Sequence, residues 1–123
     1  MATNIQITLF NVNTSEIKNM NIDFDESVAL RNEILDKFIF GIIFPNYRNK
    51  RYKHTSGSPD YMLVNGKSRI YVEIKRGEDG LRQNQVQWFG NNKDKKIFVL
   101  YIGFRSIPID KPKFVYDPNS PYA

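Results

Sequence analysis

The sequence predicts a mixed α/β fold in which helices flank a central sheet. Three observations predict it. The hydrophobic pattern changes from a period of two to a period near four at Asp25, then returns to strand-like runs after residue 58. Ile97-Phe98-Val99-Leu100-Tyr101-Ile102 is a continuous apolar run of strand length, the pattern of a strand buried on both faces. Finally, 41% apolar and 14% aromatic residues in 123 are enough to fill a core.

Each element follows in order. Ile5, Thr8 and Phe10 interleave with polar positions, and Ile17 to Phe24 resumes the alternation after Asn11-Val12-Asn13-Thr14. Residues 1–24 therefore read as an N-terminal β-hairpin. Leu30, Ile34, Phe38 and Ile42 then recur every fourth residue, with Leu35 and Ile39 beside them, as an amphipathic helix requires. Asp25 or Ser27 can cap its start, and Gly41 with Pro45 marks its end. Residues 46–58 read as a basic loop. Pro59 to Val64 and Arg69 to Lys75 are strands around an Asn65-Gly66 turn. Gly77-Glu78-Asp79-Gly80 is a loop, Leu81 to Phe89 a short helix, and Gly90-Asn91-Asn92 its stop. The proline-rich tail holds at most one short edge strand, around Phe114-Val115-Tyr116. Nothing divides the chain, so 1–123 is expected to be one domain.

Composition narrows the chemistry. The 18 Lys and Arg against 13 Asp and Glu leave a net charge of +5, which suits a polyanionic partner. The absence of cysteine excludes disulfides, thiolate zinc sites and cysteine nucleophiles. With His54 as the single histidine, a metal would be held by oxygen, favouring magnesium, manganese or calcium. No apolar run approaches the roughly 20 residues of a membrane span. The N-terminus lacks a signal-peptide profile, so a cytoplasmic location is the expectation. In Tyr47 to His54, Arg48, Lys50, Arg51 and Lys53 alternate with Tyr47, Tyr52 and His54. Cations can neutralise phosphates there while aromatic rings stack on unpaired bases; a solvated loop has the same composition.

Asp60, Glu73 and Lys75 form the chemically suggestive constellation. Tyr71, Glu73 and Lys75 share one strand face, with Ile70, Val72 and Ile74 on the other. A two-residue loop sets Asp60 opposite Tyr71, and a four-residue loop sets it opposite Glu73. Either keeps Asp60, Glu73 and Lys75 on one side of the hairpin, whereas an odd loop or a bulge would not. Facing carboxylates repel, and a divalent cation such as Mg²⁺ between them removes that repulsion. The Ile74 carbonyl is a further candidate ligand. Lys75 could orient an attacking water or balance transition-state charge. The same residues could also be an ordinary surface Glu–Lys arrangement.

Pro59-Asp60, twelve residues, then Glu73-Ile74-Lys75 resembles the signature of the PD-(D/E)XK nuclease superfamily. Gly57-Ser58-Pro59-Asp60 resembles the Gly-x-Pro-Asp of its VRR-NUC (virus-type replication and repair nuclease) family. Leu81 through Gln85 to Trp88 resembles that family's Leu-x-x-x-Gln-x-x-Trp helix. The match spans roughly residues 57–102. It implies a restriction-endonuclease-like mixed sheet and a Mg²⁺- or Mn²⁺-dependent DNA endonuclease. Asp60 and Glu73 would be metal ligands, Lys75 the catalytic lysine and Gln85 a site residue from the second helix. The superfamily adds an acid from the first helix, for which Glu33 is the first choice and Glu26 the second; a solvated glutamate fits Glu33 equally. Arg48, Lys50, Arg51, Tyr52, Lys53, His54 and Arg76 are the expected DNA contacts. Small stand-alone relatives imply a homodimer cutting branched DNA such as four-way junctions, virus- or phage-encoded and acting in the host cytoplasm. Two other classes compete: a catalytically silent nucleic-acid-binding module on the same fold, and a protein-interaction domain.

Overall fold

The computed structural model describes residues 2–25, 32–77 and 79–104. Their strands form one six-stranded mixed sheet with a helix on each face. In chain order the elements are β1 (Ala2–Asn11), β2 (Ile17–Asp25), α1 (Asn32–Ile43), β3 (Arg48–Lys50), β4 (Tyr61–Asn65), β5 (Ser68–Arg76), α2 (Gln83–Asn91) and β6 (Lys96–Phe104). The spatial order is β2-β1-β6-β5-β4-β3. All neighbours are antiparallel except β5 and β6, the pair joined through α2.

Period-two alternation sorts the core into two layers. Ile5, Ile7, Leu63, Ile70, Val72, Leu100 and Ile102 pack with Leu35, Ile39 and Phe40 of α1. Phe10, Met62, Val64, Tyr71, Ile97, Val99 and Tyr101 pack with Val86 and Phe89 of α2. The uninterrupted apolar run of β6 is explained by its position, since it is covered from both sides.

The α1 helix is present, but its phase differs from the expected one. Ile34, Phe38 and Ile42 are 41%, 43% and 47% exposed, whereas Leu35, Asp36, Ile39 and Phe40 are buried. Both stripes are apolar, so periodicity alone could not choose between them. The sheet takes the stripe that leads into Phe40 and Ile43. Gly41 lies inside the helix rather than at its end. Of the proposed caps, Asp25 belongs to β2, while Ser27 and Glu26 lie outside the described residues. The tail strand around Phe114 also lies outside them.

Two further differences concern the site. The basic loop contains an edge strand, β3, whose three residues are all exposed. Charged edge strands lack the apolar alternation that identifies a strand, and those charges discourage pairing with another chain. The second helix begins at Gln83, so Leu81, expected as its first residue, precedes it. Leu81 is the residue before the cap, Arg82, and it packs in the same core as Val86, as in a hydrophobic staple. Among the described residues, no helix is long and apolar enough to cross a membrane.

Candidate active site

The β4–β5 hairpin decides the register that the sequence leaves open. Asn65 pairs with Ser68 and Tyr61 with Val72, so Asp60 occupies the position facing Glu73. This even register keeps Asp60, Glu73 and Lys75 on the α2 side of the sheet. Although Asp60 lies just beyond the ladder, its Oδ2 accepts the Ile74 N–H at 2.8 Å. That bond ties the start of β4 to the end of β5.

Glu73 and Lys75 are 3% and 7% exposed, which is exceptional for charged side chains. Glu73 Oε2 accepts a hydrogen bond from Gln85 Nε2 at 2.8 Å and faces Lys75 Nζ at 3.6 Å. Glu73 Oε1 is buried and has no partner among the described residues. Burial, reinforced by the Asp60 charge and partly offset by Lys75, pushes the Glu73 carboxyl up to about 8. Tyr101 is the parallel-sheet partner of Lys75. Its hydroxyl is raised by burial and, secondarily, by Glu73.

Gln85 is used at both ends of its side chain. Its Oε1 accepts the Arg82 N–H at 2.8 Å, closing the N-terminus of α2, while its Nε2 reaches Glu73. Helix start and carboxylate orientation thus depend on one residue. Gly57 adds a steric link: it has φ of +79°, and a Cβ there would overlap the Asn84 carbonyl in the first turn of α2. This close approach gives a physical reason for glycine three residues before Asp60.

On the α1 side of the same strand end lies a second ionic cluster. Asp36 is buried; its Oδ1 accepts from Arg76 NH2 at 2.6 Å and its Oδ2 from the Tyr61 hydroxyl at 2.7 Å. Burial and the bond to Asp36 raise the Tyr61 hydroxyl. Arg76 NH1 is buried with no partner among the described residues. Asp36, Asp60, Tyr61, Ile74 and Arg76 line an open cleft of about 500 Å³, with Glu33 and Asp79 at its wall. Glu33 is exposed and paired with Lys37 at 3.2 Å one turn on, so the buried α1 carboxylate is Asp36. The sequence reading missed Asp36. Asp36, Ile39, Phe40 and Ile43 fall at i, i+3, i+4 and i+7 of one face, but the equally apolar stripe through Ile34, Phe38 and Ile42 leaves that spacing ambiguous.

The basic segment leads to the same place. Lys50, Arg51, Tyr52 and His54 line a second cleft that also reaches Asp60 and Tyr61, and Arg48 and Lys53 are exposed nearby. The tyrosines serve structure first. Tyr47 packs against Phe44 and shares a hydrogen bond with Ser68, while the Tyr52 hydroxyl donates to the Pro59 carbonyl. Burial pushes the Tyr52 hydroxyl up to about 12, and its ring lies 4.3 Å from that of His54. Trp88 is half-buried against Tyr71 and Phe89.

The donor set fits a small divalent cation. Two neighbouring carboxylates, one with an unpartnered buried oxygen, match the one or two that Mg²⁺ ordinarily takes from a protein. No group of three or more His, Cys, Asp or Glu side chains suited to holding a metal is assembled among the described residues. Water or substrate oxygens would complete the shell. No protein-family model, curated protein or solved structure matches this chain.

Proposed function

We propose that this chain is a Mg²⁺- or Mn²⁺-dependent endonuclease that hydrolyses DNA phosphodiester bonds, with a restriction-endonuclease-like fold of the VRR-NUC kind. One observation carries the reading. Among the described residues, the buried side-chain atoms without partners are Glu73 Oε1 and Arg76 NH1. They are an acceptor and a donor near the same end of β5, on opposite faces of the sheet, with Asp60 lining the cleft beside Arg76. An unmet acceptor on one of two neighbouring carboxylates suits a cation, and an unmet guanidinium donor suits a phosphate oxygen.

Asp60 and Glu73 would hold the divalent ion. When bound, it would polarise the phosphoryl group and acidify an attacking water. Gln85 keeps Glu73 oriented. Lys75, buried beside Glu73, offers a proton or positive charge to the reacting phosphate, and Arg76 offers a donor from the cleft wall. Water adds its oxygen to phosphorus, one P–O bond breaks, and the leaving oxygen gains a proton. Branched DNA as substrate, and a homodimer as the acting form, rest on the family resemblance alone.

The test is cleavage of a labelled four-way junction, a flap and a plain duplex with Mg²⁺, Mn²⁺ or EDTA. Metal-dependent cuts absent from both Lys75→Ala and Glu73→Ala are the expected result. DNA binding without cutting under every metal would replace the enzyme with a silent binding module.

A further inference from the structure

A second cationic surface lies away from the basic segment already described, and the strand register connects the two. Arg48 of β3 pairs with Val64 of β4, which pairs with Arg69 of β5. In the next row Lys50, Met62 and Tyr71 align, and the row after that leads to Glu73. Residues facing one another across strands project to the same side. Arg48, Lys50 and Arg69 therefore share the side of the sheet that carries Glu73, and all three are exposed.

Beyond them is the open end of the hairpin. Lys67, Arg69, Lys95 and Lys96 line an open cleft of about 550 Å³ together with Ser68, Tyr71 and the acid Asp94. The surface is held in place from beneath. Asn13 accepts the Ile97 N–H at 2.9 Å and donates to the Lys95 carbonyl at 2.7 Å, pinning the start of β6. Arg69 is four residues from Glu73, or about 13 Å along the strand. Arg48 and Arg69 are two strands apart, about 10 Å.

We propose that this band, Arg48, Lys50, Lys67, Arg69 and Lys95, is a phosphate-binding track for the duplex DNA arm that leads away from the cleavage centre; Lys96, the partner of Ile70, projects to the other face and is not part of it. The proposal rests on the nuclease reading and extends it. The centre acts on one phosphate, and the track grips the backbone on one defined side of it. A row of cations with Asp94 as the acid among them, beginning near the metal-binding carboxylates, suits a polyanion more than a compact ligand.

The experiment is DNA binding in EDTA across a salt series, using a duplex of about two helical turns. The wild type is compared with an Arg48→Gln, Lys67→Gln, Arg69→Gln triple variant. Lys18→Gln, on the far edge of the sheet, is the control. The triple variant should bind at least tenfold more weakly at low salt. Its log affinity against log salt should be shallower by about 2.7, roughly 0.9 for each phosphate no longer neutralised. Lys18→Gln should leave the slope unchanged. A triple variant with the wild-type slope and affinity overturns the track and leaves the nuclease intact, because wild-type cleavage tests the centre separately. A wild type that neither binds nor cuts DNA overturns both.

Discussion

The end of β5 carries two buried ionic clusters on opposite faces, and their difference is instructive. On the α1 side, both oxygens of Asp36 are satisfied by Arg76 and Tyr61 at 2.6 and 2.7 Å. On the α2 side, Glu73 has one satisfied oxygen and one orphan, a like charge at Asp60, and Lys75 at 3.6 Å. The first is a clamp joining helix, β4 and β5. The second sets two carboxylates against one ammonium, and burial with the Asp60 charge raises the Glu73 carboxyl to about 8. Equal burial thus has opposite consequences, decided by whether the charge is paired.

The sharpest way to break this comparison is Glu73→Gln. Cleavage should fall by about a thousandfold or more. Stability should move the other way. The Glu73 carboxyl is raised in the folded chain to about 8, above its unfolded value of 4.5. Its contribution is therefore fully present below the unfolded value and lost as pH rises toward and through 8. Metal-free wild type should lose stability relative to Glu73→Gln across that window, by on the order of a few kcal/mol, with no further change above it. Urea denaturation from about pH 4 to about pH 9 reads this directly. Parallel curves for the two proteins would mean that Glu73 is not held protonated.

Asp36→Ala should do the reverse. Removing one partner of a buried pair strands Arg76, so about 3–5 kcal/mol of stability should be lost. Refolded protein should retain metal binding, measured by Mn²⁺ titration calorimetry. Loss of Mn²⁺ binding with unchanged stability would move Asp36 from the clamp into the metal site.

Gly57→Ala tests the joint between the loop before Asp60 and α2. Left-handed strain plus overlap with the Asn84 carbonyl should cost about 2–5 kcal/mol. The smallest effect is expected for Glu33→Gln. An exposed pair with Lys37 should be worth no more than about 0.5 kcal/mol, and cleavage should stay within about threefold of wild type. A hundredfold loss would make Glu33 the acid from the first helix.

Much of the site was legible because strand geometry is rigid. Period two places Glu73 and Lys75 together whatever their surroundings, and Asn65-Gly66 limits the hairpin to a few registers. Helices are less restrictive, and α1 shows why. Leu30, Ile34, Phe38 and Ile42 form as good a stripe as Leu35, Ile39 and Ile43, so its orientation, and with it the burial of Asp36, was not readable. The edge strand β3 was hidden for another reason: an exposed strand has no hydrophobic alternation to show.

By itself, then, the sequence determined a mixed α/β order of elements, the face shared by Glu73 and Lys75, and a helix carrying Gln85. Those follow from local periodicity and turn chemistry, which act over a few residues. Only the tertiary structure decided that Asp60 faces Glu73 rather than Tyr71, that Asp36 rather than Glu33 is buried, and that Glu73 keeps an oxygen unpaired. Register, helix phase and polar satisfaction depend on which distant surfaces meet, and no short stretch of chain contains that information.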